Sequence, residues 1–195
     1  MTKGLKTRQF IIENAVALFS KKGYVAVTMK DICESCQMSR GGVYRYFSST
    51  KEIFIAMLET DLAVNQALTE ESIRKGVPAD RILTIYFEQE VALIHSENNG
   101  LYFAIHEFAF AEPDQRESLN KRVKAGIQLL QTILEYGQGT KAFKTFDAEA
   151  LATHIIYFMD SLKTSSPILD MSKETAEKQV DLLKSMIFID KKRQS

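Results

Sequence analysis

The segment from Thr28 to Glu52, TMKDICESCQMSRGGVYRYFSSTKE, constrains the fold more than any other stretch of the chain. Its punctuation fits two short helices and the start of a third. Thr28 opens a helix as N-cap, with Asp31 three residues on as its reciprocal partner. Ile32 and Cys33 point inward, and Cys36 follows one turn later. Gln37 and Met38 make a turn. Ser39 then caps a second helix carrying Arg40, Tyr44, Arg45 and Tyr46 around the pair Gly41 and Gly42, with Val43 and Phe47 packing inward. Ser49 and Glu52 form another capping box, which starts a long helix. A short helix bearing arginines and aromatics, braced by the helix before it, is the layout of a DNA-reading helix-turn-helix.

The rest of the chain reads as helix almost throughout. Ile11, Ile12, Ala15, Leu18 and Phe19 share one face of a helix that stops at Gly23, after Lys21 and Lys22. Beyond residue 50 the periodicity predicts helices over about 50–75, 79–96, 101–110, 114–136, 147–164 and 172–190. The breaks fall at Gly76-Val77-Pro78, Glu97–Gly100, Pro113, Gly137–Thr140 and Ser165-Ser166-Pro167. Residues 101–110, LYFAIHEFAF, are apolar nearly all round, which predicts a central buried helix. The expected fold is all-α, with a three-helix head over residues 1–50 and a body of about six helices over residues 51–195.

Charge supports this division. The chain is neutral overall, yet residues 1–51 hold nine Lys/Arg against three Asp/Glu, a balance of +6. Residues 52–195 hold 16 against 22, a balance of −6. A basic head on an acidic body points to a polyanionic partner for the head. No run of about 18 apolar residues spans a membrane, and no long apolar core follows the N-terminal charges as in a signal peptide. Two cysteines, Cys33 and Cys36, three apart, fit a reducing cytosol. A cytoplasmic location is therefore expected, with no membrane partner.

Arg40 and Arg45 suit bidentate donation to guanine O6 and N7 in the major groove, or contact with phosphates. Tyr44 and Tyr46 reach phosphates through their hydroxyls. Gly41 and Gly42 each cost about 1 kcal/mol relative to Ala in a helix, which suggests close approach to an outside surface. Thr28 sits at one helix start, and Thr50 with Lys51 at another, where amide groups and the dipole favour an anion. Lys3, Lys6 and Arg8, ahead of the first helix, follow the DNA backbone, enter the minor groove or form a solvated tail.

These residues resemble the TetR family of transcriptional regulators. Ile11, Ala15, Phe19, Gly23, Thr28, Ile32, Ser39, Gly41, Tyr44, Tyr46 and Phe47 stand at matching positions, without an internal gap, across residues 8–54. A weaker echo covers Tyr136 to Leu162. Two departures stand out. The family's usual turn Gly is Gln37 here, and its usual Lys at the start of the fourth helix aligns with Thr50, so that Lys51 comes one place late. The resemblance implies a homodimer on a near-palindromic operator, acting as a repressor released by a small-molecule effector. It also implies a four-helix interface from the last two helices, which Ile155, Phe158, Val180, Leu183 and Ile187 fit.

The body supplies candidates for the effector site: Tyr86, Phe87, Phe103, His106, Glu107, Phe110, His154, Tyr157 and Phe158. Glu107 in an apolar helix needs a partner, from His106, a ligand cation or a nearby Lys. The three histidines are too widely separated to suggest a metal site, and no motif calls for a cofactor. Two other readings remain open. One is a redox sensor working through Cys33 and Cys36. The other is a helical enzyme using His106 and Glu107 as acid and base, against which stands the lack of a nucleophile elbow or phosphate loop.

Overall fold

The computed structural model describes residues 3–169 and 171–189. Nine α-helices are formed among them: α1 (Lys3–Lys22), α2 (Met29–Ser35), α3 (Arg40–Tyr44), α4 (Thr50–Arg74), α5 (Ala79–Ile94), α6 (Leu101–Ala111), α7 (Arg116–Gly139), α8 (Ala148–Leu169) and α9 (Lys173–Ile187). A single 3-10 turn, Pro113–Gln115, lies between α6 and α7. The only extended pairing among the described residues is one antiparallel bridge between Phe143 and Phe188. None of the described helices is long and apolar enough to cross a membrane.

The chain divides into two compact units. Unit 1 comprises Met1–Ala63 with Glu97–Arg116, and unit 2 comprises Val64–Ser96 with Glu117–Ser195. In unit 1, α1 buries Ile11, Ile12, Ala15 and Phe19, the face its periodicity marks. Its helical start at Lys3 places Lys6 and Arg8 on α1 rather than ahead of it. At the other end Gly23 adopts φ +77, a left-handed conformation open to glycine at little cost. A side chain there would also overlap the Glu107 carboxylate, which lies against this glycine.

The Thr28–Asp31 box forms as read: the Asp31 amide donates to Thr28 Oγ1 at 3.2 Å and the Thr28 amide to Asp31 Oδ2 at 2.8 Å. α2 closes in a Schellman motif, with Met38 N–H donating to Cys33 O at 3.0 Å and Gln37 N–H to Glu34 O at 3.1 Å. That closure puts Gln37 at φ 52. A non-glycine residue there carries roughly 1–2 kcal/mol of strain. Replacing Gln37 with Gly relieves it but adds unfolded-state entropy worth about 0.4–1 kcal/mol. The net expectation is a gain of roughly 0.5–1 kcal/mol, read as a higher urea midpoint with unchanged slope; an unchanged or lower midpoint would contradict it.

At the start of α4 the Glu52 amide donates to Ser49 Oγ at 3.2 Å, as a cap requires. The reciprocal half goes elsewhere: Glu52 accepts from the amide and hydroxyl of Ser48, at 2.6 and 2.9 Å. The core of unit 1 is aromatic. Phe54 stacks on Phe108 at 4.6 Å, and Tyr24 meets both edge-on at 5.0 and 4.8 Å. Phe19 joins them, 4.8 Å from Phe54.

Three expectations are corrected. α6 is not buried all round: Ala104 and Phe108 are buried, while Phe103 and Phe110 are 41% and 79% exposed. α7 runs through Gly137 to Gly139 before turning. α8 continues through Pro167 to Leu169. Proline removes the amide that would bond to Lys163 O, four residues back. The Ser166 hydroxyl lies 3.3 Å from that same carbonyl and also from Ile94 O, which offsets the loss.

Unit 2 packs α5 against α8 and α9, around Leu83, Phe87, Ile94, Leu134, Ile155, Met159, Val180 and Ile187. Four residues expected at a subunit seam therefore belong to this internal core. Ile155, Val180, Leu183 and Ile187 are each at most 4% exposed in a single chain, and Phe158 is half-buried against the same core. Helical spacing identifies an apolar face without saying which chain covers it. The apolar side chains that α8 and α9 leave exposed are Tyr157, Ile168, Leu169, Leu182 and Met186.

Candidate nucleic-acid interface

α3 is only five residues long, and it is held from beneath. Val43 is fully buried and Phe47 is 1% exposed; Ile32 and Cys36 of the preceding segment are 0% and 4% exposed. Ser39 caps it by accepting the Gly42 amide at 3.2 Å. With the inner face fixed, Arg40, Gly41, Tyr44 and Arg45 stand exposed, and Gly42 and Tyr46 are half-buried. The Arg40 guanidinium lies over the Tyr44 ring at 5.3 Å, so the two side chains restrict each other.

A groove of about 380 Å³ runs between the start of α2 and this face, lined by Thr28, Met29, Lys30, Cys33, Arg40 and Tyr44. Two of its six lining residues are cationic and none is acidic, which suits a phosphate-bearing ligand. Thr28 Oγ1 is engaged within the capping box, also lying 2.5 Å from Asp31 Oδ2. The Thr28 hydroxyl is therefore already committed within the chain. The Lys22 ammonium, hydrogen-bonded to Asp31, holds that carboxyl well below the usual range, with Thr28 adding to the effect.

Gly41 is informative because nothing of the chain lies within 4 Å of where its Cβ would stand. A helix interior with a glycine costs about 1 kcal/mol against alanine, and no internal packing explains it here. A bare backbone at the exposed centre of α3 leaves room for an outside surface to approach closely. Gly42 is different: a Cβ there would come within 3.2 Å of Ser39 Oγ and 3.3 Å of Met38 Cε, so packing inside the head accounts for it.

Lys51 is half-buried in the first turn of α4 and carries two carboxylates. Its Nζ is 2.8 Å from Glu112 and 2.7 Å from Asp114, at the end of α6 and in the 3-10 turn that follows. Tyr24 donates its hydroxyl to Glu112 at 2.8 Å, and its backbone amide donates to Glu107 Oε2 at 2.7 Å. Glu107 thus has a partner at the start of the α1–α2 loop that the sequence did not suggest. Burial, followed by the neighbouring Glu112, pushes the Tyr24 hydroxyl well above its ordinary range. The hydrogen bond from Lys51, and then that from Tyr24, holds Glu112 below the carboxylate norm. Tyr24, Glu112 and Asp114 were not identified from sequence. Tyr24 and Glu112 are 88 residues apart and Asp114 is 63 from Lys51, and no local pattern marks such contacts.

The remaining candidates are distributed as follows. Phe103, His106, Glu107 and Phe110 fall in unit 1, while Tyr86, Phe87, His154, Tyr157 and Phe158 fall in unit 2. Phe87 is fully buried in the core of unit 2. Tyr86 and Phe158 are half-buried against that core, and His154 stacks on Phe158 at 6.0 Å between ring centres. Cys36 is buried, and burial, then Cys33, pushes its thiol up, away from the thiolate that redox chemistry requires. Among the described residues no cluster of three or more His, Cys, Asp or Glu is arranged to hold a metal.

A short exposed helix with arginine, tyrosine and a bare glycine, clamped on an apolar base and set beside a cationic groove, defines a helix-turn-helix DNA-binding protein. Residues 11–57 match the family model described as "Bacterial regulatory proteins, tetR family". The chain thus carries the helix-turn-helix of the TetR family of transcriptional regulators. It is 29% identical over 159 residues to the uncharacterized HTH-type transcriptional regulator YfiR of Bacillus subtilis, covering 80% of this chain and 76% of that one. It is 31% identical over 78 residues to the probable acrEF/envCD operon repressor of Escherichia coli, covering 40% of this chain and 35% of that repressor. The crystal structure of reduced NemR from Escherichia coli superposes with a TM-score of 0.78 at 19% identity, covering 93% of this chain and 97% of that one, which establishes the shared fold.

Proposed function

We propose that this regulator is a cytoplasmic, non-enzymatic repressor. As a homodimer it binds a near-palindromic operator through α3 and leaves it when unit 2 takes up a small molecule. The observation that carries the reading is the outer face of α3: Arg40 and Arg45 exposed, Gly41 bare, and Val43 and Phe47 locked beneath. Two such faces on one duplex read half-sites about 34–36 Å apart. Tyr46, Thr50 and the amides at the start of α2 serve as backbone anchors beside them. The half-buried Tyr86 and Phe158 are candidate walls for the effector. Tyr157, Leu182 and Met186, exposed on α8 and α9, are candidates for the dimer seam. Against the enzymatic alternative, Glu107 has a structural partner in the Tyr24 amide, which ties α6 to the start of the α1–α2 loop.

Selection of binding sites from a random duplex library tests the proposal. A recovered inverted repeat is expected. Arg40→Ala and Arg45→Ala should then each weaken binding to that site by roughly 10- to 100-fold, with a much smaller loss on scrambled duplex. Equal loss on both duplexes would show that these arginines contact only phosphates, and failure to enrich any sequence would remove the operator reading.

A further inference from the structure

We propose that Glu112 and Asp114 are internal competitors of DNA phosphate, holding Lys51 in reserve at the head. The inference rests on the DNA-binding reading above. Lys51 stands in the first turn of α4, where a helix start already favours a phosphate. In the structure its ammonium faces carboxylates instead, 2.8 Å from Glu112 and 2.7 Å from Asp114. Glu112 is fixed in that position by the Tyr24 hydroxyl at 2.8 Å. Glu107, one turn earlier on α6, binds the Tyr24 amide, so the end of α6 is fastened to the reading head at two points.

Two consequences follow. The clamp cancels a cation at a place where a cation strengthens DNA binding, and it brings two negative charges to the same edge. It is also exchangeable. Lys51 and Glu112 keep 31% and 25% of their side-chain surface exposed, and Asp114 keeps 59%. The Asp114 arm is the looser of the two, because a pair with so exposed a carboxylate is weak and screened by salt. A phosphate oxygen offers Lys51 the same charge and the same hydrogen-bond geometry, so it can take the place of the carboxylates. The position of the α6 end thereby sets how much positive charge the head presents to a duplex.

The test uses a fluorescein-labelled random-sequence duplex of about 30 base pairs, with anisotropy titrations between about 50 and 200 mM salt. The full-length double variant Glu112→Gln, Asp114→Asn should bind about three- to tenfold more tightly than the parent. Its log–log salt slope should steepen by about 0.9 per protomer, the signature of one more phosphate contact. Adding Lys51→Gln to that variant should abolish both changes. A gain that survives the loss of Lys51 would show bulk charge removal only, and would overturn the proposal; so would parent-like binding by the double variant. Should the double variant unfold, Asp114→Asn alone leaves the Tyr24 contact intact and should give a smaller gain in the same direction, whose absence would also overturn it. Failure of the parent protein to bind duplex at all would be a different result, striking the DNA-binding reading itself.

Discussion

Phe108→Ala should destabilise unit 1 by about 3–5 kcal/mol, the range for emptying a fully buried aromatic site. Phe108 is 1% exposed. Its ring stacks on Phe54 at 4.6 Å and takes the Tyr24 edge at 4.8 Å, so two rings lose a partner at once. Both neighbours are themselves fixed, Phe54 in α4 and Tyr24 through its bonds to Glu112 and Glu107, and the site has little freedom to collapse. In a chain of this length each kcal/mol lowers the melting temperature by roughly 2–4 °C. A fall of roughly 6–20 °C by calorimetry is therefore expected. Hydrogen exchange should place the loss of protection in α1, α4 and α6. DNA binding measured near the new midpoint should fail with it, because α6 and the reading helix belong to one compact unit. A melting temperature within 2 °C of the parent would remove that account.

Gly137→Ala should cost about 3 kcal/mol or more, at or beyond the upper end of ordinary overpacking. A methyl group at position 137 would overlap the ring of Phe143, with Cδ2, Cε2 and Cγ all inside contact distance. That ring has nowhere to go. It is 3% exposed, stacks on Phe188 at 5.4 Å, and belongs to the antiparallel bridge joining the α7–α8 connection to the end of α9. The carbonyl of Gly137 also accepts the amides of Ala142 and Phe143, at 2.9 and 3.1 Å, so moving the backbone would disturb two hydrogen bonds. The account makes a coupled prediction. In a Phe143→Leu background the smaller side chain leaves room, and the added cost of Gly137→Ala should shrink by at least half. If the two substitutions simply add, the overlap is not the cause.

Sequence legibility followed the range of the physics. α1 to α4 end where short-range chemistry ends them. Thr28 and Ser39 cap their helices with their own hydroxyls, and Lys21 and Lys22 precede a glycine that adopts a left-handed turn. Gln37 stood out against the family pattern and proved to be the strained residue at the turn. Where a boundary depended on a distant partner, local reading failed. Gly137 and Gly139 read as a break, yet α7 continues because Phe143 fills the space beside Gly137. Pro167 read as a stop, yet α8 continues because Ser166 reaches the carbonyl that the proline leaves.

The reading face of α3 was legible as a set of residues, because the inner positions Val43 and Phe47 fix which others point out. The assignment of Lys51 was not. Its sequence position suggests a phosphate anchor, but its charge is taken by Glu112 and Asp114, more than sixty residues later. The apolar residues Ile155, Val180, Leu183 and Ile187 marked the correct faces of α8 and α9 but not what covers them.

The sequence by itself determined the all-helical class, the helix-turn-helix with its outward arginines, and the family likeness. Capping, periodicity and left-handed turns act within one or two helical turns, and each leaves its mark on neighbouring residues. Only the tertiary structure decided that α6 belongs with the head, that Glu107 and Glu112 fasten it through Tyr24, and that the supposed seam lies inside a single chain. Those outcomes depend on which surfaces meet across the fold, and an apolar face or a lone carboxylate carries no label for its partner.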